Sequence, residues 1–147
     1  MRDAISNSLV KRALSPISGA GDNTAQVGQI IDHQGYDSAE YDILLGAIAD
    51  ADATFTVLLE EGDQSNLSDA AAVADADMVS QTLGTAPETA ASFAFNSDDQ
   101  VRKLGYIGSK RYTRLTITPA SNTGAWLVAA CCRLGHPARK PVTQTTS

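Results

Sequence analysis

The stretch TFTVLLE, residues 54–60, is the clearest strand signal in this chain. Phe55, Val57 and Leu59 fall on one face of an extended backbone, and the residues between them fall on the other. The next three residues, Glu-Gly-Asp at 61–63, are typical of a turn. This two-residue period predicts a short β-strand that ends in a turn.

Most of the chain has the same character. We predict further strands at residues 25–31, 41–48, 91–95, 101–107, 110–118 and 125–133, separated by turn-forming residues. Residues 66–80 favour a short helix or turn that leads into an extended piece. Many short strands at hairpin spacing, with no long helix between them, predict an all-β fold, either a β-sandwich or a jelly roll.

The length of 147 residues predicts a single domain. We expect an N-terminal arm at residues 1–22, a β-sandwich at residues 23–135 and an extended C-terminal tail at residues 136–147. Ile5, Leu9, Val10 and Ala13 would share one face of a helix, so a short helix at residues 6–14 is the alternative to an extended arm.

Charge is divided unevenly along the chain. Between Ala13 and Val101 there is no Lys or Arg, and all of the 17 acidic residues except Asp3 lie in this span. From Arg102 onward the chain has bases and no acids, while the net charge is −6. We expect such a protein to bind another charged surface, or copies of itself, more readily than to turn over a substrate.

Few residues suggest metal or catalytic chemistry. The pairs Asp50/Asp52 and Asp75/Asp77 have two carboxylates in the spacing of a cation loop, but Asx turns explain them better. The two histidines, His33 and His136, lack acids or cysteines at metal-ligand spacing.

The adjacent cysteines, Cys131 and Cys132, should point to opposite faces of a strand, so we expect both to be reduced, small and buried. No nucleophile, base and orienting group can be assembled from the sequence. We therefore expect no enzyme, no metal and no cofactor.

The stretch RKLGYIGSKRYTR, residues 102–114, contains five bases and two tyrosines. One hypothesis is a platform for single-stranded nucleic acid, with bases stacked on Tyr106 and Tyr112. The acidic balance of the chain, with a pI of about 4.7, disfavours binding to a polyanion. The alternative is that these bases meet the acids, within the fold or across subunits.

No apolar run approaches the length that crosses a bilayer, and no apolar segment of a signal peptide follows the N-terminus. We expect a cytosolic protein that has no membrane partner.

Two stretches carry a resemblance: DHQGYDSAEYDILLGAIADADATFTVLLEEGDQSNLSDAAAVADADMV, residues 32–79, and RKLGYIGSKRYTRLTITPA, residues 102–120, followed by RLGHPARKPV at 133–142. Together they resemble a family of small structural proteins of tailed bacteriophages, typically encoded beside the major capsid protein. The resemblance implies a virion component with a jelly-roll-like fold: a capsid cement, or decoration, protein on the outside of the head. A head–tail connector or a tail protein is the alternative. No functional residue of the family is carried over.

We expect the major capsid protein and further copies of this chain, as a dimer or trimer, to be the partners, and nucleic acid to be disfavoured. The acid-free C-terminal third and both basic termini supply the predicted contact residues. These are Arg2, Lys11, Arg12, Arg102, Lys103, Lys110, Arg111, Arg114, Arg139 and Lys140.

Overall fold

A computed structural model describes residues 3–19 and 21–145. Eleven strands account for most of it, with one short α-helix and two 3-10 turns, at Ile5–Asn7 and Asp75–Asp77. The strands and the helix are β1 (Ser8–Gly19), β2 (Gln26–Val27), β3 (Ile31–Asp32), β4 (Tyr36–Ile48), β5 (Thr54–Gly62), β6 (Ala71–Ala72), β7 (Met78–Ser80), α1 (Pro87–Ala91), β8 (Phe93–Ala94), β9 (Val101–Tyr106), β10 (Tyr112–Ala120) and β11 (Trp126–Pro137).

The strands form two antiparallel sheets that pack as a sandwich. The first sheet, sheet A, has the order β1-β11-β4-β9-β7. The second, sheet B, has the order β2-β10-β5-β6, with β3 also paired to β10 and β8 to β5. The predicted all-β sandwich is confirmed, and the strand predicted at residues 54–60 forms the first seven residues of β5.

The core follows from the two-residue period. Phe55, Val57 and Leu59 of β5 are 0–1% exposed, as the alternation predicts. One end of the core is aromatic, where the ring of Trp126 lies 4.6 Å from that of Phe55 and 6.3 Å from that of Phe93. The remainder is mainly aliphatic, which agrees with the small number of aromatic residues in the chain.

The structure differs from the predicted N-terminal arm. Residues 8–19 form β1, which pairs with β11 along its whole length and buries Leu9, Ala13 and Leu14. Two register shifts, between Arg12 and Leu14 and between Leu14 and Ile17, interrupt the alternation, so no simple strand pattern is visible in the sequence. The alternative helix is also absent from residues 8–14, which are extended.

The C-terminal boundary also differs, because β11 continues to Pro137, beyond residue 135. The predicted tail therefore begins after the strand, and its described part is residues 138–145. Between β5 and β9 the chain forms turns, the short strands β6 and β7, and α1. Pro87 at the first helical position, the residue type favoured there, opens α1, which the sequence analysis did not predict.

Gly28 lies where the two sheets approach each other along one side of the sandwich. Its N–H donates to Leu115 O of β10 at 2.8 Å, and the next N–H, of Gln29, donates to Ala13 O of β1 at 2.8 Å. A Cβ at position 28 would lie 2.6 Å from Ala13 O and 2.7 Å from Leu115 O. Both contacts are to backbone, which cannot yield as a flexible side chain does.

We expect Gly28→Ala to lower the free energy of unfolding by about 2 kcal/mol, because the backbone bridge between the sheets must shift. Urea unfolding followed by Trp fluorescence measures the change. Val27→Ala is the matched control, since Val27 is 56% exposed and its loss should change stability by less than about 0.5 kcal/mol. Equal stability of Gly28→Ala and the control would contradict the proposed close packing.

Candidate interaction face

The outer face of sheet A is unusually apolar. Among the described residues, ten large hydrophobic side chains are exposed, and six of them point from this face. They are Val10, Leu44, Val79, Val101, Ile107 and Leu127. Outer faces of antiparallel sheets that contact only water are normally polar, so this distribution indicates a surface that is covered in use.

Five of these side chains form two patches at opposite ends of the strands, and Val10 lies apart from both, opposite Arg133. In the first, the Leu44 patch, Ala129, Leu44 and Val101 lie directly opposite one another on three neighbouring strands. Leu127 extends this patch toward β1. Leu44 and Leu127 are each nearly half exposed, at 48% and 46%.

The second patch is a shallow trough of about 430 Å³, the Val79 trough. Val79 and Ile107 form its apolar walls, and Gly105 and Gly135 lie in its lining. A Cβ on Gly105 would lie 2.9 Å from Val79 Cβ, so the glycine keeps the trough open beside that side chain.

A belt of ion pairs separates the two patches. Lys103 of β9 donates to Glu40 of β4 and lies 3.8 Å from Asp42 Oδ1, while Arg133 Nη2 of β11 lies 3.5 Å from Asp42 Oδ2. The hydrogen bond from Lys103 lowers the pKa of Glu40, whereas burial raises the pKa of Asp42. Two bases and two acids lie side by side, so the belt is charge-balanced.

The outer face of sheet B has a different character. Its exposed positions on β5 and β10 include Thr54, Thr56 and Thr118, and Arg114 pairs with Glu60 at 2.9 Å. Val27 of β2 is its one side chain among the ten exposed large hydrophobics of the described residues. The two outer faces of the sandwich are therefore chemically distinct.

The structure does not bring the predicted contact residues together on one surface. Arg12 and Lys103 lie on the outer face of sheet A, and Arg114 lies on that of sheet B. Lys110 and Arg111 lie in the connection between β9 and β10. Arg102 of β9 donates to Ser97 and Gln100, and Lys11 of β1 donates to Thr145. Arg139 and Lys140 are exposed in the tail, and Arg2 lies outside the described residues.

Charge that is separated along the sequence is paired in space. Lys110 Nζ lies 2.5 Å from Asp63 Oδ2, and Arg111 forms a two-pronged pair with Asp32 at 2.8–2.9 Å. Antiparallel pairing of β9, β10 and β11 with β4 and β5 places the basic third of the chain against the acidic middle. Pairing with acids within the fold is observed for four of these bases, Lys103, Lys110, Arg111 and Arg114. Exposed pairs of this kind each contribute little to stability.

The disfavoured alternative, a nucleic-acid platform, lacks one of its two stacking surfaces in this fold. Tyr106 is 3% exposed, and its hydroxyl donates to Glu61 Oε2 at 2.6 Å, so no base can stack on it. Tyr112 is half-buried beneath the Arg111 guanidinium, 5.0 Å from the ring centroid.

A polar network crosses the interior beside this site. The Tyr41 hydroxyl lies 2.5 Å from Thr113 Oγ1, and His33 Nε2 lies 2.6 Å from the same oxygen. Burial lowers the pKa of His33 to about 4, against a smaller opposing effect of Asp32. The His33 ring also packs edge-on against Tyr106 at 5.1 Å. This arrangement gives His33 a structural partner on each side.

The carboxylate of Asp50, in the first acidic pair, has structural partners too. Asp50 accepts from the N–H and hydroxyl of Thr123 at 2.6 Å and from the N–H of Asp52, and these bonds hold the pKa of Asp50 well below its usual range. This confirms the Asx turn there. Among the described residues, no three His, Cys, Asp or Glu side chains form a group that would hold a metal ion.

Both cysteines are unbridged in the described chain, but only Cys132 is fully buried. Burial raises its pKa to about 12. Cys131 is half-buried on the outer face of sheet A, so the expectation that both are buried is corrected.

The apolar face was not predicted because the sequence pattern indicates which residues form strands, but not which strands are neighbours in a sheet. The available signal was Leu44, which lies in phase with Asp42 and Gly46 and out of phase with the buried Ile43 and Leu45. In the part of the chain that the structure describes, no helix is long and apolar enough to span a bilayer.

No protein-family model and no curated protein matches this chain. Solved structures give weak similarities. A chain from infectious bursal disease virus, strain Gx, aligns with a TM-score of 0.44 and 8% identity over 91% of this chain and 35% of that one, so this chain spans about a third of its length. A chain of Bacillus endospore appendages, a family of disulfide-linked pili, aligns with a TM-score of 0.40 and 13% identity over 92% and 96%.

The CBM22-1 xylan-binding domain of Paenibacillus barcinonensis Xyn10C aligns with a TM-score of 0.41 and 9% identity over 90% and 88%. These three proteins have unrelated roles by their descriptions. At TM-scores below 0.5 the similarities carry no argument about function. The architecture rests on the two sheets themselves: this chain is a single antiparallel β-sandwich, with one apolar and one polar outer face.

Proposed function

We propose that this chain is a non-catalytic structural protein of a tailed-bacteriophage virion. It is a capsid cement protein that binds the outside of the head through the outer face of sheet A and bridges subunits of the major capsid protein. The resemblance of residues 32–79, 102–120 and 133–142 to the phage family supplies the class of protein. The outer face of sheet A supplies the surface.

The observation that carries the proposal is the concentration of six exposed large hydrophobic side chains on that one face. Apolar side chains in two patches exclude water when covered, and each buried Leu or Val contributes about 1.5–3 kcal/mol at full burial. The charge-balanced belt between the patches fixes orientation, since its bases and acids must meet a complementary pattern. Weak contacts of this kind become strong when hundreds of copies cover a lattice.

The predicted basic contact residues have a smaller part in this proposal. Four of them, Lys103, Lys110, Arg111 and Arg114, are paired with acids of the same chain, and exposed pairs contribute about 0–1 kcal/mol each. Lys103 of the belt remains a proposed contact, because it lies between the two patches.

Binding to heads tests the proposal. Purified heads that lack this protein are mixed with the wild-type chain or a variant, and the bound fraction is measured after sedimentation. We expect Leu44→Asp and Leu127→Asp each to weaken binding at least about tenfold, since a charge would then be buried in the contact.

Thr56→Asp and Thr118→Asp are the matched controls on the outer face of sheet B. They add the same charge to an exposed strand position and should bind as the wild type does. Equal losses for both pairs, or unchanged binding of the Leu variants, would reject the proposed face. Melting curves of all four variants confirm that each is folded.

The number of copies per particle separates the proposal from its alternative. A cement protein is present in hundreds of copies, as its repeated lattice requires. A head–tail connector would form a single ring of about a dozen.

A further inference from the structure

The outer edge of β1 is an edge of sheet A. β1 is the end strand of sheet A and pairs with β11 on its inner side. The backbone groups at Ser8 and Val10 that point the other way have no strand partner among the described residues. Such an edge accepts an added strand unless something covers it.

What covers it is the side chain of Gln144. Its Nε2 donates to Ser8 O at 2.5 Å and to Ile5 O at 3.4 Å, and its Oε1 accepts from Val10 N at 3.3 Å. The side-chain amide of Gln144 therefore binds the carbonyl oxygen of Ser8 and the N–H of Val10, the two residues that flank Leu9. A residue of a parallel partner strand makes the same two bonds with its own peptide groups.

Two further residues of the tail contact β1 or the turn that precedes it. Val142 N donates to Ser6 O at 3.0 Å, and Val142 packs against the core. Lys11 Nζ donates to Thr145 Oγ1 at 3.3 Å. All these contacts involve residues 5–11 and the adjoining core, a surface that every copy of the chain presents.

The link between β11 and this docked segment is short and exposed. The last contact on the β11 side is the bond from Ala138 N to Gly35 O at 2.9 Å. Arg139, Lys140 and Pro141 are exposed, and the next anchored residue is Val142. A change of direction in these three residues would carry the tail to a neighbouring molecule without altering the sandwich.

We propose that the outer edge of β1 binds the C-terminal tail of a second copy in place of its own, so that adjacent copies are joined by exchanged tails. The exchanged tail makes the bonds described above, so its enthalpy is that of the intramolecular tail. The intramolecular arrangement dominates in dilute solution, and exchange dominates where copies are crowded, because effective concentration decides between them. This inference concerns contacts between copies and does not depend on binding to heads.

Isotope-mixed cross-linking tests the exchange. Lys11→Cys and Thr145→Cys are introduced together in a chain whose Cys131 and Cys132 are replaced by Ala, and labelled and unlabelled protein are incubated at equal amounts. A short bis-maleimide then joins the two sites, and mass spectrometry identifies pairs of mixed isotope. We expect mixed pairs to increase with protein concentration and to fall at least tenfold when Gln144→Ala is added. Pairs of a single isotope at every concentration would overturn the proposal.

A peptide measurement covers the case in which the cysteine variant is unstable. A fluorescent peptide with the sequence of residues 138–145 is titrated with the full chain, either wild type or Gln144→Ala. We expect the Gln144→Ala protein to bind the peptide at least about tenfold more tightly, because its own tail competes less. The same peptide with Ala in place of its Gln should bind neither protein. Failure of the unaltered peptide to bind the Gln144→Ala protein would also overturn the proposal.

Discussion

Replacing Trp126 by Ala is expected to lower the free energy of unfolding by about 3–5 kcal/mol. Trp126 is fully buried at the start of β11 and packs on Phe55 of β5 at 4.6 Å, so it joins the two sheets. Phe55 in turn stacks on Phe93 at 4.7 Å. Loss of the indole removes one of three rings that fill this end of the core, and the surrounding backbone belongs to paired strands that cannot collapse into the space.

Denaturant unfolding followed by circular dichroism measures the change, since the variant lacks the fluorescent Trp. Phe95→Ala is the control, because Phe95 lies close to the same cluster in the chain but is 41% exposed. Its loss should cost less than about 1 kcal/mol. Domains of this size have a total stability of about 5–15 kcal/mol, so Trp126→Ala should be marginally folded at best. A cost for Trp126→Ala as small as that of the control would contradict the described core.

Acidification from pH 6.5 to pH 4 is expected to destabilise the protein by up to about 3 kcal/mol through His33 alone. Burial lowers the pKa of the folded imidazole to about 4, whereas that of the unfolded chain stays near 6.5. Within this window the unfolded chain binds a proton that the folded chain excludes, so the free energy of unfolding falls as the pH falls. Above pH 6.5 the contribution is fully present, and below pH 4 it no longer changes.

The groups around His33 determine how large this effect is. Asp32 lies beside it and favours the protonated form, while Thr113 and Tyr106 contact its ring. Carboxylates whose folded pKa is lowered, such as Asp32, add their own acid sensitivity near and below pH 4. A comparison of variants is therefore needed to isolate the histidine.

His33→Gln keeps a hydrogen-bonding side chain near Thr113 and removes the titration. Urea unfolding at intervals from pH 7 to pH 4 should give a shallower loss of stability for this variant than for the wild type. His136→Gln is the control, because His136 is exposed and bonds only to Ser38 Oγ in the described structure. Parallel stability curves for the wild type and His33→Gln would show that the buried histidine is not the source.

Much of the fold could be predicted because it depends on local alternation. β4, β5, β9 and β10 have apolar residues at alternating positions, and β11 begins as a continuous apolar run from Trp126 to Cys132; each of the five strands overlaps its predicted range. β1 could not be recognised because two register shifts interrupt its alternation. At the first shift the consecutive residues Ala13 and Leu14 are both buried, which a regular strand would not allow. The short helix α1 depends on contacts with β5, β7 and β9 that have no signal in five residues of sequence.

The candidate site was less accessible to sequence reasoning because it is a property of the assembled sheet. The order β11-β4-β9 decides that Ala129, Leu44 and Val101 become neighbours. The same order places Lys103 beside Glu40, and so pairs charges that are far apart in the sequence. A charge pattern along a chain predicts a charged surface only when the strand order is known.

A cryo-electron-microscopy reconstruction of virions that contain this protein tests whether the outer face of sheet A binds the head. We expect hundreds of copies on the head, each with Leu44, Leu127 and Val79 facing the shell and with Thr56 and Thr118 facing solvent. The opposite orientation, with the threonines against the shell and Leu44 and Leu127 in water, would contradict it.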